Sequence, residues 1–520
     1  MNRIAQTYTV KSATNLFCES NSRKELIVDS SERYDGKRLN SEARSFAQGL
    51  LSFGIGKGDT VALMGVASCR FYAAYLSVHK FGGVTCNIHV QESPEFVART
   101  LGKIEAKAVI CSEQLLATAA AAVDSLDQTI PVISLGDLPG ETASDAYGSM
   151  VSRLPAQEPE VEVSSSDTAV IILSSGSTGT PKGIVHSNGN FVRWMRAAPV
   201  LFGPVNRHTR FLVIVATSFA AWPFSSIPVI YSGGTIVLLD GFTPESFCEA
   251  VEREKITMVG PVPTMIRMLV PEITEKYDLS SFEMMLCAGE PPTESDIERV
   301  LTWADTDMRC LYLASESAPG VATYWELKDL HNNGKPVCAG RVLPGSELRI
   351  VDPDGNIEGQ VENGQEGEII LRGPTIATGY LGNEELTKRR FIDGWWRSGD
   401  LGRLDEDQYL YVEGRTDNQI NTGGIKVQGE EVETCLVEHP AVVQVAVIGV
   451  PDPKWGQSVQ AHVVRAGEVS DAELSDYCKE QGLAPFKRPK NYVFHESLPL
   501  GVTGKLDRVS LRKQYGQKNQ

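Results

Sequence analysis

The sequence has few features of a secreted or membrane protein. Its ten cysteines are scattered along 520 residues without a CxxC pair, which indicates free thiols in a reducing compartment. No run approaches the ~18 apolar residues that a membrane span needs. The first residues, MNRIAQTYTVKSATNLF, lack the continuous apolar core of a signal peptide. We therefore predict a soluble, cytoplasmic protein without a membrane partner.

Basic residues are scarce relative to acidic ones. Lysine and arginine number 49 against 66 aspartates and glutamates, which gives a formal net charge of −17. Such a surface repels phosphate backbones, so no nucleic-acid partner is expected, although a local basic patch could bind a small polyphosphate. The sequence also has no GxSxG segment, and its eight histidines show no HxxxH spacing. These absences disfavour a serine hydrolase and a metal hydrolase.

Strand and helix patterns alternate in the first 110 residues or so. Thr60–Met64 (TVALM) has the pattern of a short buried strand, helical spacing follows through residues 71–79, and AKAVICS from Ala106 is typical of another strand. A helix is expected to begin at Asn40 or Ser41, since either residue can act as an N-cap. This alternation predicts a layered α/β fold with mostly parallel sheets.

The pattern changes in the last third of the chain. Strand-and-turn units with Pro-Asp-Gly turns predict a β-rich, antiparallel subdomain at about 346–416. A compact α+β pattern follows, and the natural boundary lies near Gly414–Asp417. We predict a large N-terminal domain, residues 1–416, which includes the β-rich subdomain, and a small C-terminal α+β domain, residues 417–520.

One segment has the composition of a phosphate-binding loop. In SSGSTGTPKG, which begins at Ser174, small residues allow backbone N–H groups to face a concavity, hydroxyl groups add donors and Lys182 adds a cation. It is not a P-loop, because Pro181 stands where the second glycine is required and Gly183 stands where Ser or Thr should bind Mg²⁺. A flexible linker is disfavoured, because apolar strand sequence precedes the segment and PKGIV closes it.

This segment resembles the phosphate loop of the superfamily of adenylate-forming enzymes, which contains acyl-CoA and aryl-CoA synthetases, peptide-synthetase adenylation domains and luciferases. Five later segments resemble the family's motifs in the family's order. They are AGEP from Ala288, YLASE from Tyr312, WRSGD from Trp396, GRTD from Gly414 and PLGVTGK from Pro499. Any one of these residues alone is more often a turn, surface or core residue. Together, in order and over nearly the whole chain, they make coincidence a poor explanation.

The resemblance implies a role for each matched residue. Tyr312 would stack on adenine, Asp400 would accept both ribose hydroxyls, and Arg415 would also contact the ribose. The implied ATP-binding residues are Ser174, Ser175, Gly176, Ser177, Thr178, Gly179, Lys182, Gly289, Glu290, Pro291, Tyr312, Ser315, Asp400 and Arg415.

The implied catalytic residues are Lys505, Thr178 and Glu316. Glu316 and Thr178 would hold Mg²⁺, and Lys505 would offset negative charge in the transition state. By the same resemblance, the C-terminal domain would rotate about Asp417 as a hinge, and Gly424 would lie beside a tunnel for the acyl acceptor.

The acyl pocket is where the sequence departs from the family pattern. Leu313 stands where the family usually has glycine, and Phe219 stands where many members carry histidine. These residues predict an apolar, sterically shaped pocket for an aromatic or alicyclic acid without a charged distal group. The alternative is that both residues only repack the core. The predicted pocket residues are Phe219, Trp222, Ala288, Leu313 and Pro319.

The implied function is ATP-dependent activation of a carboxylic acid to an acyl-adenylate with release of pyrophosphate. Acyl transfer to CoA would then make the protein an acid–CoA ligase. The alternative is an amide-bond ligase that transfers the acyl group to an amino acid without CoA, like the ligase that joins coronafacic acid to amino acids. The expected partners are a small carboxylic acid, ATP, Mg²⁺, and CoA or an amino acid.

Overall fold

The computed structural model describes residues 9–136, 146–174, 181–203, 205–289, 292–318, 323–334, 336–353, 355–422, 425–500 and 506–515. The chain divides into two compact units. The first comprises residues 1–347 and 371–396, and the second comprises residues 348–370 and 397–520. The boundary at 416/417 from the sequence stays a prediction.

A seven-stranded sheet in the first unit carries the predicted phosphate loop. Val84–Asn87 and Thr168–Ser174 run parallel to each other, and Lys182–Ser187 returns antiparallel beside Thr168–Ser174. Thr60–Met64 is a strand of this sheet, as the sequence predicts, and it is buried throughout. In sheet order the described strands are Gly379–Tyr380, Lys182–Ser187, Thr168–Ser174, Val84–Asn87, Thr60–Met64, Ala106–Cys111 and Val132–Ser134.

A second, nine-stranded sheet belongs to the same unit. Its central strands are parallel, and antiparallel strands close it at both ends. In sheet order the described strands are Arg341–Val342, Thr323–Glu326, Asp307–Tyr312, Met284–Ala288, Met258–Val259, Arg210–Val213, Thr235–Leu238, Glu25–Val28 and Arg33–Asp35.

Helices connect these strands and cover the sheets. One prediction is wrong in its detail: the helix expected from Asn40 or Ser41 begins at Gly36, and the carboxylate of Asp35 caps it by accepting the N–H of Arg38 at 2.7 Å. Asn40 lies inside this helix and is buried. The described α-helices are Val10–Ser20, Gly36–Ser52, Cys69–Lys80, Pro94–Lys103, Leu116–Asp124, Tyr147–Arg153, Asn188–Phe202, Ala221–Tyr231, Pro244–Glu254, Pro263–Met268, Pro271–Thr274, Glu294–Leu301, Leu327–Asn333 and Glu384–Arg390.

A smaller five-stranded sheet follows the main sheets along the chain, where the sequence predicts a β-rich subdomain. Asp400 and Arg415 face each other across its last antiparallel pair of strands. The described strands are Glu347–Val351, Gly367–Arg372, Phe391–Ile392, Trp395–Leu404 and Leu410–Arg415.

The rest of the second unit is an α+β domain with its own hydrophobic core. Its described strands are Gln419–Thr422, Ile425–Gln428, Val442–Asp452, Gly456–Arg465 and Asn491–His495, and its helices are Gly429–Val437, Asp471–Glu480 and Arg508–Tyr515. The prediction of a mixed α/β protein with several sheets and a small C-terminal α+β domain is confirmed. Within the described residues, every helix is too short or too polar to cross a membrane.

Candidate active site

The two ends of the predicted phosphate loop lie side by side. Ser174 is the last residue of its strand, Lys182 is the first residue of the next, and the two are partners in the antiparallel register. Ser174 also lies at the carboxyl edge of the parallel strands, where open α/β sheets bind their ligands. The loop itself, residues 175–180, lies outside the described residues.

Lys182, Tyr380 and Glu316 form one cluster at this edge. Tyr380 pairs with the strand of Lys182, and the Lys182 ammonium lies 5.9 Å from the centroid of the Tyr380 ring. The Tyr380 hydroxyl donates to Oε1 of Glu316 at 2.9 Å. Burial, followed by the nearby Glu316 carboxylate, raises the pKa of Tyr380, so its hydroxyl remains a donor at neutral pH. Tyr380 has no recognisable motif and the sequence analysis missed it.

The turn that carries Ser315 and Glu316 is held by residues far away in the sequence. The Ala377 N–H donates to the Glu316 carbonyl at 2.7 Å, and the Thr375 hydroxyl donates to the Ser317 carbonyl at 2.8 Å. Together with His186, which donates to the Ser315 carbonyl, three donors therefore reach the carbonyl groups of residues 315–317. They fix the backbone, and with it the starting point of the Glu316 side chain.

His186 supplies the third donor. Its Nε2 lies 2.8 Å from the carbonyl oxygen of Ser315, and because a carbonyl can only accept, the ring proton is on Nε2. Burial lowers the pKa of His186 to about 4, although the Ser315 hydrogen bond opposes that effect. Trp194 and Phe224 pack edge-on against the ring. His186 is therefore a neutral, fixed donor to the turn, and the sequence analysis missed it.

The two segments predicted to contact adenine end on neighbouring strands. Ala288 and Leu311 are partners in the parallel register, so Gly289 and Tyr312 follow them at adjacent positions. Gly289 has a φ of 92°, in the left-handed region that glycine adopts without strain. Tyr312 is half-buried. The next residues after Gly289, Glu290 and Pro291, lie outside the described residues.

The predicted pocket residues occupy different surroundings. Ala288 and Leu313 are half-buried against the main core, whereas Trp222 is fully buried between Tyr72 and Tyr75, with ring centroids 4.6 and 5.1 Å away. Phe219 is half-buried beside a small cavity. Trp222 is packed as a core residue, and a pocket role for any of these residues stays a prediction.

In the second unit, Asp400 and Arg415 form an ion pair. The Arg415 guanidinium lies 3.0 Å from Oδ1 of Asp400, with the aspartate side chain 12% exposed and the arginine 49%. Glu368 holds the turn before Asp400, because its Oε1 accepts the Gly399 N–H at 3.0 Å and its Oε2 accepts Nε of Arg397 at 2.8 Å. The two predicted ribose ligands are thus neighbours.

Of the remaining predicted site residues, the structure describes the backbone of Asp417, the predicted hinge. Asp417 belongs to a short 3₁₀ turn, Thr416–Asn418. Lying outside the described residues are Ser175, Gly176, Ser177, Thr178, Gly179, Glu290, Pro291, Pro319, Gly424 and Lys505.

The described residues fit a magnesium ion that is bound mainly through a polyphosphate. They contain no group of three or more His, Cys, Asp or Glu side chains that could hold a metal by itself. Glu316 offers a carboxylate that Tyr380 orients. One carboxylate with substrate phosphates is a usual way for proteins to bind Mg²⁺.

Comparisons with known proteins identify the family of this chain. The family model described as AMP-binding enzyme matches residues 16–381, and the model described as AMP-binding enzyme C-terminal domain matches residues 431–505. A long-chain-fatty-acid–CoA ligase, FadD13, from Mycobacterium tuberculosis is 30% identical over 486 residues, 92% of each chain. A feruloyl-CoA synthase from Amycolatopsis sp is 30% identical over 484 residues, 92% of this chain and 93% of the relative.

A solved structure, the amide bond synthetase McbA from Marinactinospora thermotolerans, superposes with a TM-score of 0.85 at 26% identity and covers 97% of this chain and 99% of its own. Two domain models and relatives of nearly equal length thus match the same chain. This chain therefore belongs to the AMP-binding, adenylate-forming family and is an AMP-forming enzyme of the acid–CoA ligase type.

Proposed function

We propose that this enzyme activates an aromatic or alicyclic carboxylic acid with ATP and transfers the acyl group to CoA. In the first step the carboxylate attacks the α-phosphate of ATP, and pyrophosphate leaves. Both reactants are anions, so the barrier is largely repulsion and alignment. The cluster of Lys182, Tyr380 and Glu316, at the edge that carries the phosphate loop, is the observation that supports this step.

Each residue of the cluster has a definite task in this proposal. Lys182 offers positive charge beside the phosphate loop, and Tyr380 orients the Glu316 carboxylate by its hydrogen bond. Glu316, with Thr178, would hold Mg²⁺, which when bound neutralises phosphate charge. Lys505 would act on the developing negative charge of the transition state. Asp400 and Arg415 would bind the ribose.

An exposed tryptophan supports CoA as the acceptor. Trp455 is 40% exposed, and the ammonium groups of Lys454 and Lys490 lie 4.6 and 5.1 Å from its ring centroid. Asp452 fixes this turn, because its carboxylate accepts the backbone N–H groups of Lys454 and Trp455, each at 2.9 Å. An indole face suits a nucleotide base and ammonium groups suit phosphates. CoA has both, whereas an amino acid has neither.

The acid class rests on weaker contacts. Phe219 contributes a half-buried aromatic ring, 5.8 Å from the His89 ring, and Leu313 adds a branched apolar side chain. A planar acid would stack against such a wall. Among the relatives, one is named for feruloyl-CoA and another for a long-chain fatty acid. A fatty acid is therefore the main competing substrate.

The amide-bond ligase is the second candidate, since an amide bond synthetase shares the fold at a TM-score of 0.85. Mass spectrometry of products separates the two. Aromatic, alicyclic and long-chain acids are each incubated with ATP and Mg²⁺, once with CoA and once with amino acids. We expect a thioester from aromatic or alicyclic acids with CoA only. An N-acyl amino acid formed without CoA would make the enzyme an amide ligase.

Trp455→Ala tests the acceptor site independently. We expect the KM for CoA to rise about 10-fold, since one base–aromatic stack contributes ~1–3 kcal/mol. Acid-dependent pyrophosphate release without CoA should not change. Lys388→Ala, an exposed lysine of the first unit, is the control. An unchanged KM for CoA in the tryptophan variant would contradict this site.

A further inference from the structure

A small, partly open cavity lies at the carboxyl edge of the seven-stranded sheet. Its volume is about 10 Å³, enough for one water-sized group such as a hydroxyl but not for a ring. Strand residues of the sheet form one wall, and the turn before the helix Ala221–Tyr231 forms the other. The lining residues include Asn87, Ile172, Thr217, Ser218 and Phe219.

Asn87 lines this space and carries an acceptor without a partner among the described residues. Its Nδ2 donates to the carbonyl oxygen of Thr217 at 2.7 Å. Because that carbonyl can only accept, the amide orientation is determined and Oδ1 faces the other way. Oδ1 is buried and has no hydrogen-bond partner among the described residues. A buried carbonyl oxygen without a donor costs free energy, so the position favours an incoming donor.

Ser218 presents a second polar atom. Its Oγ is also buried and also has no hydrogen-bond partner in the described part of the chain. The backbone beside it is well anchored, since the Thr217 hydroxyl donates to the Gly65 carbonyl at 2.6 Å and the Thr217 carbonyl accepts from Asn87. The two residues that carry these unpartnered atoms therefore line the same small cavity.

The cavity adjoins the predicted site of chemistry. Asn87 is the last residue of its strand, and the neighbouring parallel strand contributes Ile172 to the lining. Two residues further on, that strand ends at Ser174, where the phosphate loop begins. Phe219, which stands in the predicted acid-binding segment, covers the cavity from the other wall.

We infer that Asn87 and Ser218 determine specificity by binding a neutral hydrogen-bond donor, a hydroxyl or an amino group, on the ring of the aromatic acid. This inference rests on the proposed function. The ligand's hydroxyl or amino group would donate a hydrogen bond to Oδ1 of Asn87, and Ser218 would complete its hydrogen bonding. A distal carboxylate is rejected, because it has no proton to donate and Oδ1 would face it with a partial negative charge.

Matched acids test this inference. The quantity compared is kcat/KM for a hydroxy acid against kcat/KM for the same acid without its hydroxyl group. Acid-dependent pyrophosphate release gives kcat/KM for 4-hydroxybenzoate, 3-hydroxybenzoate and 4-hydroxycinnamate, and for the corresponding unsubstituted and methoxy acids. The methoxy acids can accept but cannot donate. In the wild-type enzyme we expect at least one hydroxy acid to exceed both partners by about 10- to 100-fold, as loss of one buried hydrogen-bond partner predicts.

Asn87→Leu and Ser218→Ala should remove most of that preference. Ser225→Ala should keep it, because this half-buried serine lies on the following helix and its hydroxyl already donates to the Ala221 carbonyl. If Asn87→Leu does not fold, Ser218→Ala decides, because it deletes a single atom. A preference that is absent in the wild type or unchanged in the variants would overturn the inference and leave the two atoms as ligands of a structural water. Absence of pyrophosphate release with every acid would instead contradict the proposed function.

Discussion

The two units of this enzyme position the side chains predicted to bind ATP in different ways. In the first unit, the Glu316 turn depends on partners far away in sequence: His186 is 129 positions from Ser315, and Tyr380 is 64 positions from Glu316. In the second unit, Asp400 and Arg415 belong to two consecutive strands, and the antiparallel register alone makes them partners.

This difference follows from how the two sites are assembled. The Glu316 turn follows a strand of the nine-stranded sheet, whereas His186 and Tyr380 lie on antiparallel strands of the seven-stranded sheet, so the supports of this turn come from distant segments. Asp400 and Arg415 lie in one hairpin, whose short turn makes cross-strand neighbours local. The first kind of site should fail when remote supporting residues change. The second should be affected mainly by changes to the ligands themselves.

Among the residues that the structure describes, the largest expected effect is at Glu316. Glu316→Gln keeps an acceptor for Tyr380 but removes the charge proposed to hold Mg²⁺, so acid-dependent pyrophosphate release should fall about 100- to 1000-fold. Glu298→Gln, an exposed glutamate on the helix Glu294–Leu301, should behave like the wild type. A loss below tenfold would remove Glu316 from the proposed machinery.

Asp400→Asn tests the antiparallel site. Loss of a charged acceptor for ribose hydroxyls should raise the KM for ATP about 10- to 100-fold. Because the Arg415 side chain is 49% exposed, its ion pair with Asp400 contributes at most ~1 kcal/mol to the free energy of unfolding. The melting temperature should therefore change little. A destabilised protein with a normal KM would make this pair structural instead.

One buried histidine in each unit, His186 and His462, should make the free energy of unfolding depend on pH. Burial lowers the pKa of both His186 and His462 to about 4. The unfolded chain then binds more protons between pH 6.5 and 4, so stability falls as the pH falls through this range. From pH 6.5 to 5 the loss is about 2 kcal/mol per histidine.

Urea unfolding of His186→Gln and His462→Gln at these two pH values measures that loss. Each variant should be less sensitive to acid than the wild type. Only His186→Gln should also change pyrophosphate release, because only His186 donates to the Glu316 turn. Equal acid sensitivity in wild type and variants would contradict the neutral state assigned to these rings.

Tyr380→Phe should have the smallest effect. The ring stays near Lys182, but Glu316 loses an orienting hydrogen bond, so we expect kcat to fall about 5- to 10-fold. The Mg²⁺ concentration for half-maximal rate should rise, which a purely structural role would not cause. Tyr411→Phe, whose hydroxyl lies 3.4 Å from Asp405, is the control. An unchanged Mg²⁺ dependence would show that Tyr380 does not act through Glu316.

Local patterns predicted the parts of the molecule that depend on local physics. Thr60–Met64 was evident from its apolar run, and the cross-strand position of Asp400 and Arg415 could be anticipated from their place in one hairpin. The helix start was wrong because Asp35 ends a strand directly before the helix and caps it. Asn40 does not cap the helix; its Oδ1 accepts a hydrogen bond from Nζ of the buried Lys80 at 2.6 Å.

The supporting residues could not be predicted in this way. His186, Tyr380 and Asn87 have ordinary neighbours in sequence, and their importance comes from partners that only the folded sheets bring near. The motifs therefore identify candidate ligands but not the residues that orient them, and the roles assigned to both groups stay predictions until variants are measured.

Exchange of labelled pyrophosphate into ATP tests the central claim, reversible acid activation through an adenylate, most directly. The wild-type enzyme should catalyse exchange only with an acid present and without CoA or an amino acid. Lys505→Ala should reduce it by about 100- to 1000-fold or more, because the variant would lose the charge proposed to stabilise the transition state. Exchange without acid, or undiminished exchange in Lys505→Ala, would contradict the account.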